Sequence, residues 1–590
     1  MYNLKDFSPL SQNGTDWTDA FSAAFDEAEA AGGGTVFVPA GRYPTRSIRL
    51  RSHTVLHLDA GAVLDFLDDI ERYEVVETQF EGLPLKAYQS LLHAENAEHF
   101  AITGFGTING NGRRWWQEHL QGTLPYARPY LLHFANCRHI TLENVTLQNS
   151  PSWTVHPLFC DGMTIQGIHI QNPPDSPNTD GIDPDGSRNL RITACTIDVG
   201  DDCIAIKSGT EDTPDPQPSE NITVTGCTML HGHGGVVIGS EMSGGVRNVS
   251  ISGCVFYETD RGIRIKTRRR RGGVVENITV SSVVMEGVLC PFVFNMYYFC
   301  GKDGKMKHVW DKSPYPVDSG TPAIRDVQIS NVIAKKVTSS AGFLYGLAEQ
   351  PLENISFSHC TVEMLPGSPA CAAMLDGVEP TACAGFFLRN AQGLSFEHMT
   401  LRGVVGREYD TDNTVEFVHD RSSYIIKAME TEDEIEGKGY VHYQSWQEAY
   451  PGLVDAGYLQ QLTLEKCTAI AHRWPDNILV AKDGDKVIGF VAYGPYRDDT
   501  LPGHGEIFAI YVLENYQGQR VGYELMNAAL AKLSAYPKVA VWVLKGNTKA
   551  IRFYKRYGFR PDGTEAEVLL GTPNTELRLI YGSEEKPYSL

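Results

Sequence analysis

The sequence predicts an all-β right-handed parallel β-helix followed by a smaller α/β domain. Two observations carry this. From about His99 to about Arg402, short segments alternate apolar and polar residues: "HFAITGFGTI", "HITLENVTL", "MTIQGIHI", "NLRITACTI", "NITVTGCTM", "NVSISGCVF", "NITVSSVVM", "DVQISNVI", "NISFSHCTV" and "LSFEHMTL". Alternation marks a strand with one buried face, and recurrence at roughly 23 to 50 residues marks a solenoid. After about Ser422 the repeat ends, and strand and helix patterns alternate instead. The expected domains are therefore residues 1–421 and 422–590.

Taken in order, "TDWTDAFSAAFDEAEAAGGGTVFVPAG" reads as a helix capped by Thr15 or Asp16, then a strand and a turn. A helix placed there covers the open end of the first coil. Each later coil buries its apolar face only by stacking on its neighbours. Cys195, Cys227, Cys254 and Cys360 share one place, just after the strand, and predict an internal ladder of small residues. The 12 cysteines lack paired CxxC spacing and read as buried thiols. The aromatic stretch "PFVFNMYYFCGKDGKMKHVWDKSPYPVD" interrupts the repeat. Beyond it, "YIIKAMETEDEIEGKGYVHYQSWQEAY" reads strand then helix, and a hairpin is expected around Asp483-Gly484. "GEIFAIYVLENYQGQRVGYELMNAALAKLSAY" and "VAVWVLKGNTKAIRFYKRYGF" each read strand, loop, helix.

The chain has 590 residues, 42% of them hydrophobic, and a formal net charge of -21. That charge excludes general binding to nucleic acid or anionic membranes, which needs a basic surface. No apolar run approaches the roughly 20 residues that span a bilayer. The first residues lack a basic segment followed by an apolar one, so a cytoplasmic location is expected.

"NTDGIDPDGSRNLRITACTIDVGDDC" holds six aspartates and no lysine or glutamate. Residues at matching places on successive coils stack about 4.8 Å apart. Asp180 and the Asp201-Asp202 pair lie about one coil apart, His233 one further on, and Arg264 and Lys266 one beyond that. Arg264 and Lys266 point to one face, and a bend is expected beside Gly200. Crowded carboxylates suit chemistry in which one stays protonated while another stays ionised. Glycoside hydrolysis needs such a pair. The two cations would hold a substrate carboxylate, hence a uronic acid polymer. No metal is expected. Asp183 and Asp185 read as structural. Ser152 and Trp153 either pack beneath the site or, for Trp153, stack on sugar. "TRRRR", from Thr267 to Arg271, is either a solvated loop or a grip on the polyanion.

Four motifs, "NTD", "GDD", "GHG" and "RIK", resemble in order and spacing those of the polygalacturonases, glycoside hydrolase family 28, over roughly residues 1–420. The resemblance implies hydrolysis of α-1,4-galacturonosyl bonds with inversion. Asp201 would be the general acid, and Asp180 and Asp202 would activate water. His233 would tune the acid or hold the sugar, with Asn178, Arg264 and Lys266 binding substrate. The interrupting segment resembles insertions that close the groove in exo-acting relatives. Rhamnogalacturonan or xylogalacturonan is an alternative substrate, and a non-catalytic pectin-binding β-helix an alternative function. A lyase would rely on calcium and an arginine base, which the paired aspartates fit less well.

"YQGQRVGYEL" follows a strand and opens a helix, whose N-terminal amides can meet phosphate. With its flanking strands it resembles the GNAT acetyltransferases over roughly residues 424–583. The resemblance implies acetyl-CoA as cofactor, bound by Gln517, Gly518, Arg520, Gly522 and Asn547, with Arg520 standing where the family has glycine. Tyr554 would protonate the leaving thiolate, and Glu506 would be a water-binding general base or a solvated strand-end carboxylate. The amine acceptor is left open.

Overall fold

The computed structural model describes residues 1–371, 380–419, 424–517, 519 and 521–582. The chain divides into two compact units, Met1–Asp420 and Arg421–Leu590.

The first unit is a right-handed parallel β-helix. Its opening helix, Thr18–Ala30, buries Phe21 and Phe25 in the core at the end of the solenoid. The helix begins after Trp17, and Asp16 satisfies its start by accepting from the Thr18 amide at 3.0 Å.

Parallel strands then form three faces. One face runs through Glu98–Gly104, Arg138–Glu143, Asp161–Gln166, Arg188–Thr193, Ser219–Thr225, Val246–Ser252, Val274–Ser281 and Ala323–Ser330. These are the alternating segments of the sequence, and their register is residue on matching residue: Leu190 pairs with Ile222, which pairs with Val249. A second face contains Thr196–Val199, Thr228–His231, Val255–Tyr257 and Val284–Glu286. The third contains Val155–Leu158, Asp202–Ile206, Gly234–Ile238, Arg261–Lys266 and Cys290–Asn295. Bridges at Ile182 link Val155 to Ile204 on this face.

Inside, Cys195, Cys227, Cys254 and Cys360 are buried, and the Cys195 amide meets the Cys227 sulfur at 3.5 Å. All 12 cysteines are free thiols. Outside, asparagines at one turn position form a second ladder: Asn221 donates to Asn189 at 3.1 Å, Asn248 to Asn221 at 3.0 Å, and Asn277 to Asn248 at 3.2 Å. Each sits near φ +57°, a conformation asparagine tolerates better than most residues. Each such bond nets only about 1 kcal/mol, whereas burying one Ile or Leu gives about 1.5–3 kcal/mol. Core stacking therefore dominates stability, and the asparagines set the turn.

Two features interrupt the coils beside the third face. Val75–Phe80 and Leu83–Tyr88 form an antiparallel ribbon. Thr213 Oγ1 donates to the Gly82 carbonyl at its tip, and Phe80 stacks on Tyr130 at 5.4 Å. The aromatic segment after Cys290–Asn295 carries the short helix Lys307–Trp310.

The second unit is a seven-stranded sheet flanked by helices. Strand order is Tyr424–Ala428, Ile478–Asp483, Lys486–Pro495, Gly505–Val512, Val539–Leu544, Thr572–Tyr581 and Arg560–Leu570. The hairpin at Asp483-Gly484 is present, with Asp483 pairing Lys486. Thr431 and Glu434 form a capping box on the helix Glu432–Ala449. Neighbours are antiparallel except Gly505–Val512 and Val539–Leu544, whose pairing runs only from Gly505 to Ile507. The two strands part beyond that point, opening the middle of the sheet.

Candidate active site

On the third face of the β-helix lies a cleft of about 490 Å³. Asp180, Asp201, Asp202, His233, Asn178, Arg264 and Lys266, all expected from sequence, line it together. Carboxylate oxygens of Asp180, Asp201 and Asp202 approach within 4.8 Å of one another. The backbone explains the convergence. The Gly181 amide donates to the Asp202 carbonyl at 3.0 Å, and the His233 amide to the Asp201 carbonyl at 3.0 Å, so three coils are locked in step. Asp201 stands in the bend before the strand Asp202–Ile206, its Oδ1 accepting from the Asp202 amide at 2.9 Å. Gly232 is required here: at φ +67°, any Cβ would sit 2.6 Å from the Asp201 carbonyl oxygen.

The three carboxylates have different environments. Asp202 is enclosed and accepts from Lys266 Nζ at 2.7 Å, with Arg264 at 3.5 Å. Burial alone would raise its pKa, but Lys266 and Arg264 outweigh it and hold the carboxyl well below its usual range. Asp180 is equally buried. Burial first, then the charges of Asp201 and Asp183, push its pKa well above normal. Asp201 is the accessible one, its side chain 23% exposed, with His233 Nδ1 3.3 Å from Oδ1. That contact with Asp201 leads the causes that raise the His233 pKa. Such closely placed groups titrate as a unit.

Arg264 and Lys266 stand over the Tyr298 ring at 5.1 and 5.3 Å, Lys266 keeps N–H donors beside the one given to Asp202, and Arg264 pairs with Asp202 by charge alone. Asn178 is held by Arg128, which donates to its Oδ1 at 2.7 Å. Trp153 lines the cleft while only 3% exposed, with Lys207 Nζ 4.4 Å over its ring. Ser152 is buried and donates to the Pro129 carbonyl.

Glu81 from the ribbon tip, Lys207, Ser240, Glu241, Arg261 and the segment Tyr298–Gly301 complete the lining. None of these was singled out from sequence, and Lys207, which follows the strand Asp202–Ile206, has no local signal of its place in the cleft.

"TRRRR" fits neither expectation. Arg268, Arg269 and Arg271 are buried, and only Arg270 is exposed. Arg268 and Arg271 both bind Glu211. Arg269 grips Glu349 and donates to the carbonyls of His308, Asp311 and Ser313. The arginines rivet the interrupting segment to the solenoid, because each meets an acidic or carbonyl partner inside the protein.

In the second unit, Gln517 donates to the Val512 carbonyl and accepts from Lys549 Nζ at 2.6 Å. Gly522 lies in the first turn of the helix Val521–Lys532. Gly518 and Arg520 fall outside the described residues. Asn547 caps the helix Thr548–Tyr557, accepting from the Ala550 amide at 3.0 Å. Its carbonyl oxygen thus has a structural partner beside any cofactor contact. Tyr554 is buried, which is the main cause raising its pKa. Near it, Trp446 Nε1 and Tyr450 OH converge on Tyr511 OH at 2.9 and 3.2 Å.

Glu506 is neither a solvated carboxylate nor an open base. It is fully buried and bound by the Arg497 amide at 3.1 Å and by the Arg497 guanidinium. The guanidinium takes Oε1 through two N–H groups and the backbone amide takes Oε2, so both oxygens already have partners inside the protein.

Residues 76–374 match the model of glycosyl hydrolases family 28, and residues 440–559 that of the acetyltransferase (GNAT) family. A "Probable polygalacturonase" of Vitis vinifera is 35% identical over 401 residues, covering 65% of this chain and 79% of the relative. The crystal structure of a hyperthermoactive exopolygalacturonase from Thermotoga maritima aligns with TM-score 0.56 and 30% identity, covering 68% of this chain and 91% of that one. A family 28 exopolygalacturonase of Yersinia enterocolitica, 19% identical over 71% of this chain and 77% of its own, shares the fold at TM-score 0.59. With half of its length in the family model and its four motifs gathered in one cleft, the chain belongs to glycosyl hydrolases family 28, and its second unit carries a GNAT acetyltransferase domain.

Proposed function

We propose that the first unit hydrolyses α-1,4-galacturonosyl bonds of pectic chains, removing sugars from one end. The carrying observation is the set Asp180, Asp201 and Asp202 within 4.8 Å, facing Arg264 and Lys266 in one cleft. Asp201, accessible and beside His233, donates the proton to the leaving oxygen. His233, which keeps its proton to higher pH than usual, resupplies it. Asp202, kept ionised by Lys266 and Arg264, takes a proton from water together with Asp180. The remaining donors of Arg264 and Lys266 meet the galacturonate carboxylate.

A second assignment is favoured by one observation: burial raises the pKa of Asp180, whereas that of Asp202 is lowered. Comparing Asp201→Asn with Asp180→Asn separates the two. The general acid's variant recovers on substrates with an activated leaving group that needs no protonation, and the base's variant does not.

End-wise action is supported by the ribbon tip at Glu81 and the riveted segment Tyr298–Gly301, which wall the cleft. Inversion rests on the family likeness. The oxygens' approach within 4.8 Å is closer than the about 6.5–9.5 Å usual for inverting pairs, so two carboxylates on one water is the arrangement that accommodates it. Proton NMR of the first-formed anomer decides the stereochemistry. The second unit would bind acetyl-CoA at the start of Val521–Lys532, with Gln517, Gly522 and Asn547 close by, and pass the acetyl group to an amine while Tyr554 protonates the thiolate. Isothermal titration with CoA tests that binding.

A further inference from the structure

Beneath the three aspartates lies a charge arrangement that the hydrolytic reading does not use. Lys207 Nζ is buried, 3.7 Å from Asp180 Oδ2, 3.5 Å from Asp183 Oδ1 and 3.5 Å from Glu241 Oε2. No one of these is a short hydrogen bond, so the ammonium is shared rather than committed. Glu241 has a second cation, Arg271 Nη2 at 3.7 Å, and a hydroxyl from Ser240 at 2.8 Å. Asp202 has Lys266 and Arg264. Asp180 and Asp183 therefore depend on one ammonium between them. Both Asp183 oxygens are buried and accept no hydrogen bond from an N–H or hydroxyl group, and the Asp180 carboxyl lies within hydrogen-bonding reach.

We propose that Lys207 and Asp183 are the positioning residues of the hydrolytic centre: Asp183 keeps the one proton that two carboxyls and a single ammonium retain, so that Asp180 faces water ionised. The inference rests on the reading of Asp180 as a base. Two negative carboxylates against one buried ammonium leave a net buried charge, which is costly. One retained proton removes it. Of the two, Asp183 is fully enclosed, and Asp180 lines the cleft. Burial raises the pKa of both, that of Asp183 to about 8 against the pull of Lys207, so it is the place of Asp180 at the cleft that decides between them. The groups facing the pair from neighbouring coils are Asp201, Asp202, Glu241, Glu81, Arg128 and, beyond Asp183, His156. The last is 3.7 Å from Asp185 and held neutral chiefly by burial.

The test is the pH dependence of kcat/KM on oligogalacturonate for the full-length protein. Its acidic limb reports ionisation of the base. Lys207→Met removes the cation, raises the pKa of Asp180, and is expected to move that limb up by about one pH unit or more while kcat falls about a hundredfold and KM changes little. Lys207→Arg restores the limb. Asp183→Asn, an uncharged stand-in for the protonated carboxyl, leaves the limb near its wild-type position. A limb unmoved in Lys207→Met, or moved down by about one pH unit or more in Asp183→Asn, would overturn the proposal.

Infrared difference spectra of the protonated-carboxyl stretch give a readout that needs no turnover and covers a Lys207 variant that folds poorly. Asp183→Asn should lose one such band at neutral pH, and galacturonate bound to the wild-type cleft should leave the band's frequency in place, since it meets Asp180 and not the enclosed Asp183. A band that persists in Asp183→Asn, or that moves with galacturonate, overturns the proposal. Wild-type protein that cleaves nothing, yet shows the expected band loss, would instead count against the hydrolytic reading alone.

Discussion

Lys266 Nζ lies 2.7 Å from Asp202 Oδ2 inside the cleft, so the cation expected to meet the substrate's carboxylate already holds a carboxylate of the protein. Its first task is electrostatic: it keeps Asp202 ionised where burial would protonate it. Lys266→Met should destabilise the protein by about 3 kcal/mol near pH 7, because it leaves a buried charge short of its partner. The sign of the pH dependence follows from the lowered pKa. The pairing stabilises above the unfolded carboxylate value of about 3.9 and fades as pH falls towards the folded one. Urea unfolding of both proteins should show the gap narrowing only below that value. A gap independent of pH would contradict the pairing.

Asp201→Asn should cut turnover at least about a hundredfold with the melting temperature little changed. The side chain is partly exposed, so its loss strands no deeply buried group. Near-normal turnover would remove Asp201 from the chemistry.

His233 should titrate above the ordinary histidine value of about 6.5, and Asp201→Asn should bring it back towards that value. The shift is attributed first to its contact with Asp201. Carbon-13 histidine labelling read by NMR checks both.

Arg269→Ala should cost about 3–5 kcal/mol, since it leaves Glu349 buried and unpaired. It also frees three carbonyls of the interrupting segment. Limited proteolysis should then cut between Tyr298 and Ser313 well before it attacks the coils.

In the second unit, Tyr554→Phe should lower thiol release from acetyl-CoA in the presence of an amine panel about tenfold or more, with CoA affinity unchanged. Equal loss of binding and turnover would assign Tyr554 to packing.

The coils were legible because alternation and a repeated length are local signals, and the register of Leu190, Ile222 and Val249 follows from them. The cleft was legible because one-coil spacing carries Asp180, Asp201, His233 and Arg264 to neighbouring rungs. What escaped was decided by partners distant in sequence. Arg269 reads as solvated until Glu349, 80 residues away, is placed beside it. Glu506 reads as open until Arg497 closes over it. The ribbon Val75–Tyr88 contributes Glu81 to the cleft, but nothing local says that Thr213 anchors its tip. Lys207 is visible as a letter, and its meaning comes only from three carboxylates on other segments.

The most direct test of the hydrolytic account is product analysis on oligogalacturonate of defined length, with full-length protein and a chelator present. Saturated galacturonate released stepwise from one end is the expected result. Unsaturated products, or no cleavage with the fold intact, would contradict it.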